Sequence, residues 1–191
     1  MNTKFTVMFI KPDAINDGLV DQILSDFIKA GLVPVLGKKL NLNLDQASMV
    51  YRDHMDNQNY EFAIKSLVEE GGCKTSLFFV LKREKGDALL TAQEIKGRSD
   101  INGVRAKYRR YLWTELKEKG VVGEELKNML SRNRVHVPDS NTHVCEIINV
   151  LLDNDELKKI QEADIDLIDF IEGCKQNTIE YEAGHGNKER L

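Results

Sequence analysis

The sequence predicts an α/β or α+β sandwich in which helices cover an antiparallel or mixed sheet. Two observations predict it. Apolar runs of strand length alternate with stretches of helical periodicity, and two helical stretches stand between some neighbouring strands. A chain of 191 residues with a hydrophobic fraction of 41% can bury one core and still carry an appendage.

Residues 4–10 (KFTVMFI) are β-branched and aromatic, and the strand ends at Lys11-Pro12 because proline cannot donate to a sheet ladder. Leu19, Val20, Ile23, Leu24, Phe27 and Ile28 then form one helical face, with Asp17 placed to cap it and Gly31 to end it. Residues 32–42 read as a second strand, in which Pro34 and Gly37 suggest an edge or a bulge. Helical segments follow at 45–54 and 59–69, and Gly71-Gly72 breaks the chain. KTSLFFVLK (74–82) is the clearest strand, too short an apolar run to compete as a helix. A helix ending near Gly120 and another at 124–130 come next, then a brief extended stretch, NRVHV (133–137), closed by Pro138. Val144, Ile147, Ile148, Leu151 and Leu152 have helical spacing behind a cap at Asp139 or Ser140. A last helix is expected near 164–172, followed by a tail with little to bury.

Composition narrows the function. A formal charge of −4 disfavours non-specific nucleic-acid binding, while local basic groups can still hold an anionic ligand. No apolar run approaches the length of a membrane span, and the amino terminus lacks a secretory pattern, so the expected location is cytoplasmic, with no membrane partner. Cys73, Cys145 and Cys174 share no CxxC spacing and read as packed or idle thiols, neither a disulfide framework nor a zinc knuckle.

His136 ends a short strand just before a Pro-Asp-Ser turn and a helix start, where a neutral imidazole could act as a nucleophile towards phosphate. On position alone, the commoner reading is a turn histidine satisfied by backbone groups. Lys11 could set a point charge on a phosphate, or simply mark the chain leaving the core. Arg98, Arg105, Lys107, Arg109, Arg110, Arg132 and Arg134 make a basic cluster. It fits a solvated helix face, an RNA patch or a phosphate clamp. GxxxxGK[ST] and GxGxxG are both absent, so any nucleotide is held by side chains.

Two blocks sharpen this. VMFIKPDAINDGLVDQILSDFIKAGL (7–32) resembles the opening of nucleoside diphosphate kinases, where a strand runs into IKPD, a turn, GLV and a helix. NRVHVPDS (133–140) resembles their catalytic segment: N, two apolar residues, H, G, S, D, S. The resemblance spans 3–152 and implies an α+β fold, a ferredoxin-like βαββαβ antiparallel sheet covered by helices, in a homo-oligomer. It implies ping-pong transfer of the γ-phosphate of ATP or another nucleoside triphosphate to a nucleoside diphosphate through a phosphohistidine. It also implies Mg2+, bound mainly through the nucleotide phosphates. Residues 1–152 would form the family domain, with 111–131 as an enlarged loop or helical insertion and 153–191 as a helical extension and tail.

Carried over residue by residue, the resemblance makes His136 the phosphorylated histidine, Asn133 a contact to the sugar, and Lys11 and Arg110 phosphate ligands. Tyr51 matches a tyrosine near the histidine, and Tyr60 stands where the family stacks a phenylalanine on the base. Ser99 keeps a phosphate-facing hydroxyl, Asp139 helps hold the magnesium water shell, and Glu146 is the candidate to orient the imidazole. There are departures. Gln93 replaces a second arginine, Val137 and Pro138 replace glycine and serine, and Arg110 and His136 stand 26 positions apart, a wider spacing than the family's. These departures define the alternative reading, a catalytically impaired nucleotide-binding or scaffolding module of the same fold.

Overall fold

In a computed structural model that describes residues 3–98, 101–161 and 169–170, the chain divides into two units, Met1–Asp139 and Ser140–Leu191. The first is built on β1 (Phe5–Ile10), whose residues are all buried. It pairs antiparallel with β3 (Ser76–Lys82) from Phe5↔Lys82 to Ile10↔Leu77, and on its other side with β4 (Val135–His136) through Phe9↔His136 and Ile10↔Val135. A strand with neighbours on both sides and apolar residues on both faces explains the unbroken hydrophobic run. β2 (Val33–Leu40) flanks β3 and completes the order β2-β3-β1-β4. Its register shifts between Pro34 and Leu36, the irregularity the proline announces on an edge strand.

Helices join these strands. Between β1 and β2 come α1 (Pro12–Asn16) and α2 (Val20–Lys29), the latter burying Ile23 and Phe27. Asp17 does not cap α2. Pro12 at the first helical position starts a separate short helix, so Asp17 falls at the C-cap of α1, and Leu19 precedes α2 without a side-chain cap. α3 (Leu44–Val50) opens on a capping box between Asn43 and Gln46, stops at the buried Tyr51, and gives way to a 3-10 turn at Arg52–His54 before α4 (Tyr60–Val68). The stretch expected as one helix over 45–54 is therefore two pieces.

After β3 the chain forms α5 (Ala88–Lys96), capped by Asp87, then α6 (Gly103–Lys107), α7 (Trp113–Glu118) and α8 (Gly123–Ser131). The β and α elements follow the ferredoxin-like βαββαβ order, with α3 and α4 set between β2 and β3.

The second unit contains α9 (Asn141–Leu151) and α10 (Asn154–Gln161). Ser140, one of the two expected caps, accepts from the His143 amide at 3.1 Å. The helix expected at 164–172 and the tail lie outside the described residues, apart from helical positions 169 and 170. Cys73 is free, but Cys145 is disulfide-bonded, which corrects the reading of all three cysteines as thiols. Sequence spacing reports only neighbours along the chain, and a disulfide answers to neighbours in space. No helix among the described residues is long and apolar enough to cross a membrane.

Candidate active site

Lys11 leaves β1 with its backbone amide donating to Arg134 O at 2.9 Å, which ties the start of the site to the residues just before β4. Its side chain is fully buried. The ammonium donates to Ser66 Oγ on α4 at 2.8 Å and to Ser131 O at the end of α8 at 3.0 Å. It also lies 5.5 Å over the centroid of the Tyr51 ring. Loss of solvent disfavours the charged form and brings the pKa down to about 7; Asp13 and Glu70 oppose that fall, and Arg105 adds to it.

The Tyr51 ring packs at 4.3 Å from the His136 imidazole, with Phe9 behind it at 6.1 Å and His54 edge-on at 6.2 Å. Tyr51 is buried, burial raises its pKa, and its hydroxyl has no hydrogen-bond partner among the described residues. Arg105 of α6 donates from Nε and Nη2 to Val135 O at 3.2 and 3.0 Å, which places a guanidinium on the residue next to His136. Burial lowers the pKa of Arg105 as well.

α5 holds the turn after His136. Lys96 Nζ donates to Val137 O and to Asp139 Oδ1, both at 3.2 Å, and Gln93 Nε2 donates to Pro138 O at 3.0 Å. Gln93 and Pro138, two of the positions read from the sequence as departures, are thus joined by a hydrogen bond. His54 Nε2 stands 3.2 Å from the other oxygen of Asp139. Beneath this turn, Arg134 adopts φ +71° and is almost wholly buried. It donates to Asp13 O at 3.0 Å and Tyr108 O at 2.6 Å, and pairs with Asp17 Oδ2 at 2.8 Å.

Two cavities open beside these groups. One, of about 910 Å³, is lined by Tyr51, His54, Tyr60, Arg105 and Asn133, with α7 and α8 contributing much of the remaining wall. The other, of about 710 Å³, is lined by His54, Gln93, Lys96, Arg98, Arg105 and Asp139. His54 and Arg105 belong to both. His136 lines neither; it is 1% exposed and covered by Tyr51. The Asn133 Oδ1 is buried without a hydrogen-bond partner among the described residues.

The structure therefore brings Lys11, Tyr51, Tyr60, Asn133 and His136 to one region and sets Asp139 at the neighbouring cavity. Arg110 lines neither of these two cavities. It is exposed, lies 5.6 Å over the Tyr111 ring, and lines only a cavity of about 60 Å³ among the three described. Arg110 falls beyond the end of α6, whereas Arg105 sits inside that helix and lines both larger cavities. Ser99 lies outside the described residues, and Glu146 falls on α9 in the second unit. His54 escaped the sequence reading, although the YRDH run puts it one turn beyond Tyr51. No group of three His, Cys, Asp or Glu residues able to hold a metal occurs among the described residues, while Asp139 and Glu94 line the smaller cavity. That donor set fits a magnesium ion carried by nucleotide phosphates rather than caged by protein.

Residues 4–157 match the family described as Nucleoside diphosphate kinase. Nucleoside diphosphate kinase 1 of Protochlamydia amoebophila is 27% identical over 157 residues, 82% of this chain and 98% of the relative. The nucleoside diphosphate kinase of Staphylococcus saprophyticus is 25% identical over 83% of this chain and 93% of its own length. Among solved structures, the transition-state mimic of the Borrelia burgdorferi nucleoside diphosphate kinase with bound vanadate and ADP superimposes with a TM-score of 0.61 at 18% identity, covering 80% of this chain and 88% of that one. The apo enzyme of Encephalitozoon cuniculi gives 0.59 at 18% identity, over 80% and 91% of the two chains. The structural likeness speaks for the fold and the family match for descent: this chain belongs to the nucleoside diphosphate kinase family.

Proposed function

We propose that the chain transfers the γ-phosphate of a nucleoside triphosphate to a nucleoside diphosphate in two steps, through a phosphohistidine at His136. In the first step an imidazole nitrogen forms a bond to the γ-phosphorus as the bond to the β,γ-bridging oxygen breaks, and the diphosphate leaves. In the second, a terminal oxygen of the incoming diphosphate attacks the same phosphorus and the imidazole departs, which makes the kinetics ping-pong. Lys11 and Arg105 offset the charge on the transferring oxygens, Asn133 accepts from a sugar hydroxyl, and Tyr60 offers a face to the base. The hydroxyl of Tyr51, which has no hydrogen-bond partner among the described residues, donates to a phosphate oxygen once the ring has moved off His136. Magnesium, held through the nucleotide phosphates with the water shell near Asp139, would supply further charge neutralisation.

The observation that carries this reading is the contact of Lys11 Nζ over the Tyr51 ring at 5.5 Å and of that ring, tilted, with His136 at 4.3 Å, an amine and a nucleophile on one aromatic spacer beside a cavity of about 910 Å³. Incubation with γ-labelled ATP should leave acid-labile, base-stable phosphate on the protein, and excess nucleoside diphosphate should remove it. A chain that stays unlabelled is not this enzyme. The same reading assigns activity to residues 1–152 within a homo-oligomer; light scattering should return a mass at least twice 21.8 kDa.

A further inference from the structure

Trp113, the single tryptophan of the chain, opens α7 with 47% of its surface exposed. It lines the 910 Å³ cavity together with Leu112 and with Leu126 and Leu130 of α8. Lys117, one turn further along α7, sets its Nζ 4.0 Å from the indole centroid. A cation therefore takes one face of the ring, and a planar ligand has only the other. Tyr60 lines the same cavity, anchored by a hydrogen bond from its hydroxyl to Ser48 O at 3.3 Å.

The lining changes character around the cavity. The groups that touch His136 or the strand beside it are polar, and two of the polar atoms in the lining, Tyr51 Oη and Asn133 Oδ1, are buried with no hydrogen-bond partner among the described residues. Such atoms call for a ligand rich in hydroxyls and phosphate oxygens. On the α7 and α8 side, Trp113, Leu126 and Leu130 present an aromatic and apolar surface that suits a flat heteroaromatic ring, with Thr114, Lys127 and Ser131 beside it. An indole left half in water at the mouth of a cavity gains most by stacking on such a ring.

On the basis of the phosphotransfer reading above, we propose that Trp113 is a base-stacking residue, so that the α7–α8 segment of this chain forms a second wall of the nucleoside subsite facing Tyr60. The base is gripped on two faces. Because a purine covers more of the indole than a pyrimidine does, the preferred substrates are purine nucleoside di- and triphosphates. Tripolyphosphate carries the anionic groups without the base, so its binding leaves the indole untouched.

A single tryptophan makes the test direct, since the emission of the full chain reports on Trp113 alone. The protein is titrated with ADP, with UDP and with inorganic tripolyphosphate, following indole fluorescence and, in parallel, heat. ADP should quench saturably with a midpoint matching its calorimetric Kd, UDP should bind more weakly, and tripolyphosphate should leave the emission unchanged. Trp113→Ala should raise KM for ADP on the order of tenfold, with the loss on KM rather than kcat, and Trp113→Phe should recover most of it. Calorimetric binding of ADP with constant emission, equal quenching by tripolyphosphate, or a wild-type KM in Trp113→Ala overturns the stacking role while leaving phosphohistidine chemistry standing. Absence of ADP binding by either readout removes the phosphotransfer reading itself.

Discussion

Lys11 sits between Ser66 Oγ and Ser131 O with no exposed surface, and its pKa falls from 10.5 to about 7, chiefly through burial. The unfolded chain would titrate near 10.5, so between about 7 and 10.5 it binds a proton the folded chain lacks; over that window this residue makes stability rise with pH. Binding works the other way. A polyphosphate brought against the amine favours its charged form, so at pH 8 nucleotide binding should take up a proton. Calorimetry in two buffers of different ionisation heat measures that uptake, and Lys11→Met should abolish it; equal heats for the wild type would remove the phosphate-ligand role of Lys11. His136→Ala should form no phosphoenzyme and lose activity by roughly a thousandfold or more, read in a coupled assay. These two residues were legible in the sequence because each belongs to a short motif whose members are neighbours along the chain. Arg105 was legible only as one member of a basic cluster, because what places it beside His136 is a bond to Val135 O, 30 residues away.

Elements hold these side chains in place at two points where local preference is overruled. Arg134 takes a left-handed conformation inside the fold, satisfied by Asp13, Asp17 and the Tyr108 carbonyl. Its own carbonyl accepts from the Lys11 amide, so it joins the end of β1 to the segment that carries Asn133 and His136. Arg134→Ala removes the guanidinium beside the buried Asp13, leaving its carboxylate only the backbone amide of residue 134, and should cost about 3 kcal/mol in urea unfolding. The second point is the crossing of the chain behind α5. Gly97 and Gly103 both have positive φ, and a Cβ at Gly97 would stand 2.2 Å from Asn102 O. Two backbones touch there, with no side chain able to move aside. Gly97→Ala should destabilise by about 2–3 kcal/mol and slow phosphoenzyme formation, because Lys96 and Arg105 flank that crossing. The sequence reading assigned no bounds to α5 and had no means of seeing this close approach, which the short connection from α5 to α6 makes between its own two ends.

At the scale of the whole chain, the sheet was readable wherever strands are apolar on both faces: β1 and β3 differ from their expected spans by one or two residues. After β3, α8 was expected at 124–130 and spans Gly123–Ser131, whereas α5 and the five-residue α6 received no bounds from the sequence. Charge shows a similar division between total and local. The chain is net negative by four, yet Lys11, Lys96, Arg105, Arg109 and Lys127 gather in or beside the two cavities. A polyanion approaching from solvent meets a net repulsive protein with an attractive cleft, and the cleft decides only within a screening length. Raising ionic strength from about 0.1 to about 1 M shortens that length from about 10 to about 3 Å, so kcat/KM for ATP should fall several-fold. Arg109 is exposed and lines the larger cavity, where it can steer arrival without touching the reacting phosphorus. Arg109→Ala should therefore lower kcat/KM at low salt and converge on the wild type at high salt. Parallel curves, offset at every ionic strength, would instead mean that Arg109 grips the bound nucleotide and that steering comes from the deeper charges.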